Sequence, residues 1–137
     1  MASSVIVDAG FLVTLLNRRD SNHHWAAGQA LQSPPPWKTC EAVVSEAFHL
    51  LGPPGMPALA GLLNRQSLVC AFHLGEHAEE VLALMQKYAD VPMSFADACL
   101  VRMTELLTDP MLLTTDADFR IYRRHGRQVI PIAMPSQ

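Results

Sequence analysis

The stretch Val5-Ile6-Val7-Asp8-Ala9-Gly10-Phe11-Leu12-Val13-Thr14-Leu15-Leu16-Asn17 decides the fold class of this chain. Residues 5–7 are β-branched and apolar, the text of a short buried strand, and Asp8 and Gly10 close it. Residues 11–17 then read as a helix. A buried strand running straight into a helix opens a βα unit, and such units build mainly parallel sheets.

Outward from that stretch the alternation continues. Residues 111–114 form a second apolar strand candidate, and 67–72 and 128–132 two more. Ser21 or Asn22 caps a helix through Trp25, Ala26, Ala30 and Leu31, which Ser33-Pro34-Pro35-Pro36 ends. A helix over 41–51 stops before Gly52-Pro53-Pro54-Gly55, and a shorter one covers 58–64. Residues 76–89 form an amphipathic helix with Ala78, Val81, Leu82, Met85 and Ala89 on its apolar side. Ser94 opens a helix that runs through Leu107, and 118–124 reads as a short helix. The expectation is an α/β fold in one domain spanning residues 1–137, with the Pro-rich stretches as turns inside it.

With 137 residues, half of them apolar and 17% charged, the chain can bury a real core. A net charge of −3 argues against a passive coat on nucleic acid but not against an enzyme acting on one. Cys40, Cys70 and Cys99 are odd in number, widely spaced and set in apolar text, so they read as buried free thiols of a reducing compartment. The apolar start is broken by Asp8 and lacks a preceding positive charge, so no leader is expected there, and the run 11–16 is too short to span a bilayer. A cytoplasmic protein is expected.

Lone carboxylates stand at the edges of apolar segments: Asp8, Glu46 in Val43-Val44-Ser45-Glu46-Ala47-Phe48, Asp97 in Phe95-Ala96-Asp97-Ala98, and Asp116 after the 111–114 strand. A buried carboxylate without a partner costs several kcal/mol, and no Lys or Arg stands beside these. Each acid also has a plainer reading. Asp8 and Asp116 suit helix N-caps, and Ser94-Phe95-Ala96-Asp97 is a capping box. Glu46 has no such role, because it lies inside a helix beside Val43 and Leu50. Glu41 opens that helix and reads as structural. In open α/β sheets ligands bind beyond the carboxyl ends of strands, where Asp8 and Asp116 stand. An all-carboxylate set is the signature of Mg²⁺ or Mn²⁺ and of phosphodiester or phosphoryl chemistry.

Other constellations are thinner. His73 and His77 are four apart but lack a third zinc ligand, and no P-loop, G-x-G-x-x-G or G-x-S-x-G is present. Arg120, Arg123, Arg124 and Arg127 cluster after Asp116, with Tyr122 among them as a candidate for stacking on a base. The same run also fits a solvated face. Arg102, in the helix of Asp97, is a candidate for phosphate contact.

Taken in order, Val5-Ile6-Val7-Asp8, Val43-Val44-Ser45-Glu46-Ala47-Phe48-His49-Leu50-Leu51, Ser94-Phe95-Ala96-Asp97-Ala98 and Leu113-Thr114-Thr115-Asp116-Ala117-Asp118-Phe119 resemble the PIN-domain ribonucleases, in particular the VapC-type toxins of bacterial toxin–antitoxin pairs. The resemblance implies a three-layer α/β/α sandwich around a mainly parallel sheet. It implies Mg²⁺- or Mn²⁺-dependent endoribonuclease activity, with Asp8, Glu46, Asp97 and Asp116 as the acidic quartet and Asp118 as an auxiliary metal ligand. RNA-binding roles then fall to Arg102, Arg120, Arg123 and Arg124. A homodimer and an antitoxin partner are implied as well. One departure stands out: the family often has Ser or Thr just after the first acid, and this chain has Ala9-Gly10, with Thr114 and Thr115 as substitute hydroxyls. A housekeeping RNA-processing nuclease and a non-catalytic domain that keeps the fold remain alternatives.

Overall fold

The computed structural model describes residues 2–136. Its elements are β1 (Ser4–Val7), α1 (Ala9–Leu16), α2 (His23–Gln32), β2 (Trp37–Thr39), α3 (Glu41–Asn64), β3 (Leu68–Cys70), α4 (Ala78–Lys87), α5 (Phe95–Leu106), β4 (Pro110–Leu113), β5 (Arg123–Arg124), β6 (Gln128–Val129) and β7 (Ile132–Ala133). Short 3₁₀ turns lie at Leu74–Glu76 and Ala117–Arg120.

β1 sits at the centre because its side chains are apolar on both faces. Ile6 and Val7 point to opposite sides of the sheet and both are 0% exposed. Leu112 and Leu113 of β4 are equally buried. Helices therefore cover both faces of the sheet, giving the α/β/α sandwich expected. All pairings in the five-stranded sheet are parallel, in the order β3-β2-β1-β4-β7. β1 and β4 run in register from Ser4 opposite Pro110 to Val7 opposite Leu113. Connections leave β1 toward β2 and β3 on one side, while β4 and β7 fill the other. The switch in direction opens a crevice at the carboxyl ends of β1 and β4, where such sheets bind ligands.

Several elements differ from the sequence reading. β2 was hidden behind the Pro-rich breaker, since only three residues, Trp37-Lys38-Thr39, form it. Tertiary bonds create it: Trp37 N–H donates to Ser67 O at 2.8 Å, and the Thr39 hydroxyl donates to Val7 O at 2.9 Å. The two helices expected over 41–51 and 58–64 form one kinked element, α3. Gly52 bends it with φ 65°, and helical conformation resumes at Pro53 and Pro54, where a missing N–H costs least. On α4 the inward stripe is Val81, Leu84, Met85 and Tyr88, and Leu82 is exposed. The helix expected over 118–124 is a 3₁₀ turn followed by β5, and the last strand divides into β6, which closes a hairpin on β5, and β7 in the main sheet. Cys40 and Cys99 are buried as expected, but Cys70 is exposed at the edge strand β3.

The core has two aromatic anchors. Phe11 meets Trp25 and Trp37 edge-on at centroid distances of 5.9 and 5.5 Å. Tyr122 meets Tyr88 and Phe119 at 5.1 and 5.2 Å. Edge-to-face pairs add about 1 kcal/mol each beyond burial. The second cluster lies under the crevice and fixes α5 against the segment after β4.

Candidate metal centre

Asp8, Glu46, Asp97 and Asp116 line one cavity of ≈ 210 Å³, together with Gly10, Thr115 and apolar groups of α3 and α5. Four elements deliver them. β1 ends at Asp8, α3 carries Glu46 one turn after the buried Val43, the first turn of α5 holds Asp97, and the loop after β4 holds Asp116. At ≈ 30 Å³ per water the space takes an ion with part of its hydration shell.

Asp8 is the most constrained. It is 6% exposed, yet every oxygen is engaged. Oδ1 accepts the Phe11 N–H at 2.8 Å, capping α1, and Oδ2 accepts the Thr114 hydroxyl. Thr114, itself 0% exposed, accepts the Asp116 N–H at 2.9 Å. One hydroxyl thus ties the acid of β1 to the acid after β4. Burial pushes the Asp8 carboxyl up to about 7; the Thr114 and Phe11 hydrogen bonds oppose this, and the charges of Asp116 and Asp97 reinforce it. Asp97 is raised too, chiefly by burial and further by the Asp116 charge, against the hydrogen bond from Tyr122. The Tyr122 hydroxyl donates to Asp97 Oδ2 at 2.9 Å, and burial followed by the Asp97 charge raises its own proton affinity. Asp116 caps the 3₁₀ turn, its Oδ1 accepting the Asp118 N–H at 2.9 Å.

The plainer roles and the site therefore coincide: Asp8, Asp97 and Asp116 stand at element starts and also face the cavity. Glu46 departs from its expectation, because it is exposed and reaches the cavity from the solvent side. Asp118 is absent from the lining. Arg102 is bound to Glu105 at 3.1 Å and donates to His77 Nδ1 at 3.4 Å. Arg123 caps the carbonyls of Arg120, Ile121 and Tyr122, and Arg124 donates to Thr104 O. Tyr122 is 0% exposed, so no base can stack on it. Of the predicted cationic contacts, Arg120 is exposed. Reading the sequence missed the Tyr122–Asp97 bond, for which spacing gives no signal.

Donor chemistry fits a hard divalent ion: four carboxylates and no basic side chain line the cavity. Among the described residues no three His, Cys, Asp or Glu side chains stand close enough together to hold a metal ion as they are. The four acids thus share a cavity without forming a ready ligand set, and His73 and His77 likewise lack a third zinc ligand.

A family model described as PIN domain matches residues 5–124. Among solved structures, the chain resembles Mycobacterium tuberculosis VapC20, described as a sarcin-ricin loop cleaving toxin, with a TM-score of 0.70 and 22% identity over 84% of this chain and 92% of that one. No curated protein sequence matches significantly. No helix among the described residues is long and apolar enough to cross a membrane.

Proposed function

From the premise that this chain belongs to the PIN domain family, we propose that it is a divalent-metal-dependent endoribonuclease acting as the toxin of a toxin–antitoxin pair, with Mg²⁺ or Mn²⁺ as cofactor. The observation that carries this reading is the carboxylate-lined cavity at the switch point of the sheet, with Asp8 buried and flanked by two further acids. The likeness to VapC20, a toxin that cleaves an RNA loop, supports the substrate class.

Asp8, Glu46, Asp97 and Asp116 would hold the ion, and the Asp118 N–H supports Asp116 from outside the cavity. When bound, a divalent ion supplies charge for the scissile phosphate and lowers the pKa of an attacking water. Thr114 and Tyr122 keep the Asp8 and Asp97 carboxylates aimed by donating to Oδ2 of each. A homodimer, an antitoxin partner and a cytoplasmic location belong to the same reading.

The test is cleavage of an RNA oligonucleotide bearing a sarcin-ricin-type loop. Purified chain is expected to cut it with Mn²⁺ or Mg²⁺ and to stop when the metal is chelated. Absence of cleavage with either metal would remove the nuclease reading. Induced expression arresting growth, with relief on co-expression of an upstream partner, tests the toxin assignment against a housekeeping role.

Roles within the arginine cluster separate on the same footing. Arg120→Ala is expected to leave stability within about 0.5 kcal/mol and lower the salt slope of RNA binding by about 1. Arg124→Ala is expected to cost about 1–3 kcal/mol, because the guanidinium ties the β5–β6 hairpin to Thr104 of α5. Binding isotherms at several salt concentrations and thermal melts read the two effects. Equal stability losses in both variants would contradict the division.

A further inference from the structure

Among the described residues, the cavity offers one neutral side-chain donor, the Thr115 hydroxyl; its other polar side chains are the four carboxylates. Ionised carboxylates only accept hydrogen bonds, so a phosphate entering this ring meets acceptors on every side. Thr114 cannot serve it, because its hydroxyl already donates to Asp8 and accepts from the Asp116 N–H.

Gly10 shows how Thr115 gains its place. A Cβ built on Gly10 would lie 2.3 Å from Thr115 Oγ1 and 3.5 Å from Asp8 Oδ1. The hydroxyl from the loop after β4 and the carboxylate from β1 therefore converge over the bare Cα of Gly10. Any other residue at position 10 would occupy that point. Gly10 stands at the second position of α1, and its missing Cβ leaves open the point that Thr115 Oγ1 takes.

We propose that Thr115 is a substrate-contacting catalytic residue: its Oγ1–H donates to a non-bridging oxygen of the scissile phosphate, and Gly10 keeps the space for it. This rests on the nuclease reading above. The hydroxyl hydrogen-bonds the phosphate without holding the metal, so its loss separates chemistry from metal binding.

Steady-state RNA cleavage and Mn²⁺ calorimetry on wild type, Thr115→Val, Thr115→Ser, Gly10→Ala and the Gly10→Ala/Thr115→Ala double variant form the test. Thr115→Val keeps the shape of the side chain and is expected to lower kcat/KM by about tenfold to a hundredfold, the worth of a hydrogen bond to a charged group. Thr115→Ser should stay within about threefold of wild type, and Mn²⁺ affinity should be unchanged in both. Gly10→Ala should match the Thr115→Val loss, yet add little on the Thr115→Ala background, because the two sites share one point in space. Wild-type cleavage by Thr115→Val overturns the proposal and leaves the nuclease reading intact. A parallel loss of Mn²⁺ affinity overturns it in favour of a metal-holding role. A wild-type chain that cuts no RNA overturns both readings at once.

Discussion

Asp8→Asn is expected to abolish RNA cleavage and, at pH 8, to make the metal-free protein more stable. Both effects come from the same buried carboxylate. In the folded chain Asp8 titrates at about 7, raised above its ordinary value mainly by burial. Between the unfolded value near 3.9 and that folded value, the native state binds more protons than the unfolded state. Stability therefore falls as pH rises through this window and levels off above it. At full effect this amounts to a few kcal/mol. An asparagine has the same shape and no charge to bury, but its amide nitrogen cannot accept the Thr114 hydroxyl as Oδ2 does, which offsets part of the gain. Its carbonyl still accepts the Phe11 N–H, so α1 keeps its cap. We expect the variant to recover about half the ionisation cost, a melting temperature higher by roughly 5–10 °C at pH 8, and little gain at pH 4.5. Saturating Mn²⁺ should reverse the order, since ligand at a hundred times its Kd adds about 2.7 kcal/mol to the form that binds it. Melting curves across pH, with and without Mn²⁺, decide the matter. A variant with wild-type pH dependence in the absence of metal would show that Asp8 is not a strained acid.

This expectation reorders what the sequence suggests. Glu46 reads there as the acid with no structural excuse, because it follows Val43 and precedes Leu50 on one helix face. In the fold that face opens onto the cavity: Leu50 is 56% exposed and Glu46 is exposed with it. A helix wheel records which residues share a side but not whether a neighbour covers that side. Asp8, by contrast, reads there as a strand-end site acid with a cap as its plainer alternative, and it is both the cap and the deepest acid of the set. The strand ends were legible because a run such as Val5-Ile6-Val7 has one use, and the acid after it then lies at the carboxyl edge of a parallel sheet. β2 was not, and the last strand reads as one piece instead of β6 and β7, since two or three residues carry no period and such strands exist through bonds to distant backbone. Tyr122 illustrates the same limit. Set among arginines it looks like a surface aromatic, yet contacts with Tyr88 and Phe119 bury it and turn its hydroxyl onto Asp97.

Asp116→Asn is the complementary change, because Asp116 is the acid whose charge reaches both of the raised carboxyls. Its charge is among the causes that raise Asp8 and Asp97. Removing it should lower the titration of both carboxyls while leaving the local fold in place. Asparagine caps the 3₁₀ turn as aspartate does, through the Asp118 N–H, and the backbone bond to Thr114 Oγ1 does not involve the side chain. The metal-free variant is thus expected to fold and to bring Asp8 nearer the ordinary carboxylate range. Cleavage should nevertheless fall more than about a hundredfold, beyond the tenfold to hundredfold typical when only a ligand's supporting partner is lost. Asp118→Asn is the control: it lies outside the cavity lining, so its loss should stay within about the tenfold lower end of that supporting range. Carbon-detected carboxylate titrations, Mn²⁺ calorimetry and cleavage rates on the two variants supply the comparison. Cleavage by Asp116→Asn at the wild-type rate would remove Asp116 from the metal centre, and a larger defect in Asp118→Asn would move the ligand role to the other acid. The pairing of a downward shift in Asp8 with lost cleavage is the decisive signature: relief of charge repulsion alone would make the site easier to form, so a site that becomes less strained and less active needed that charge to hold a cation.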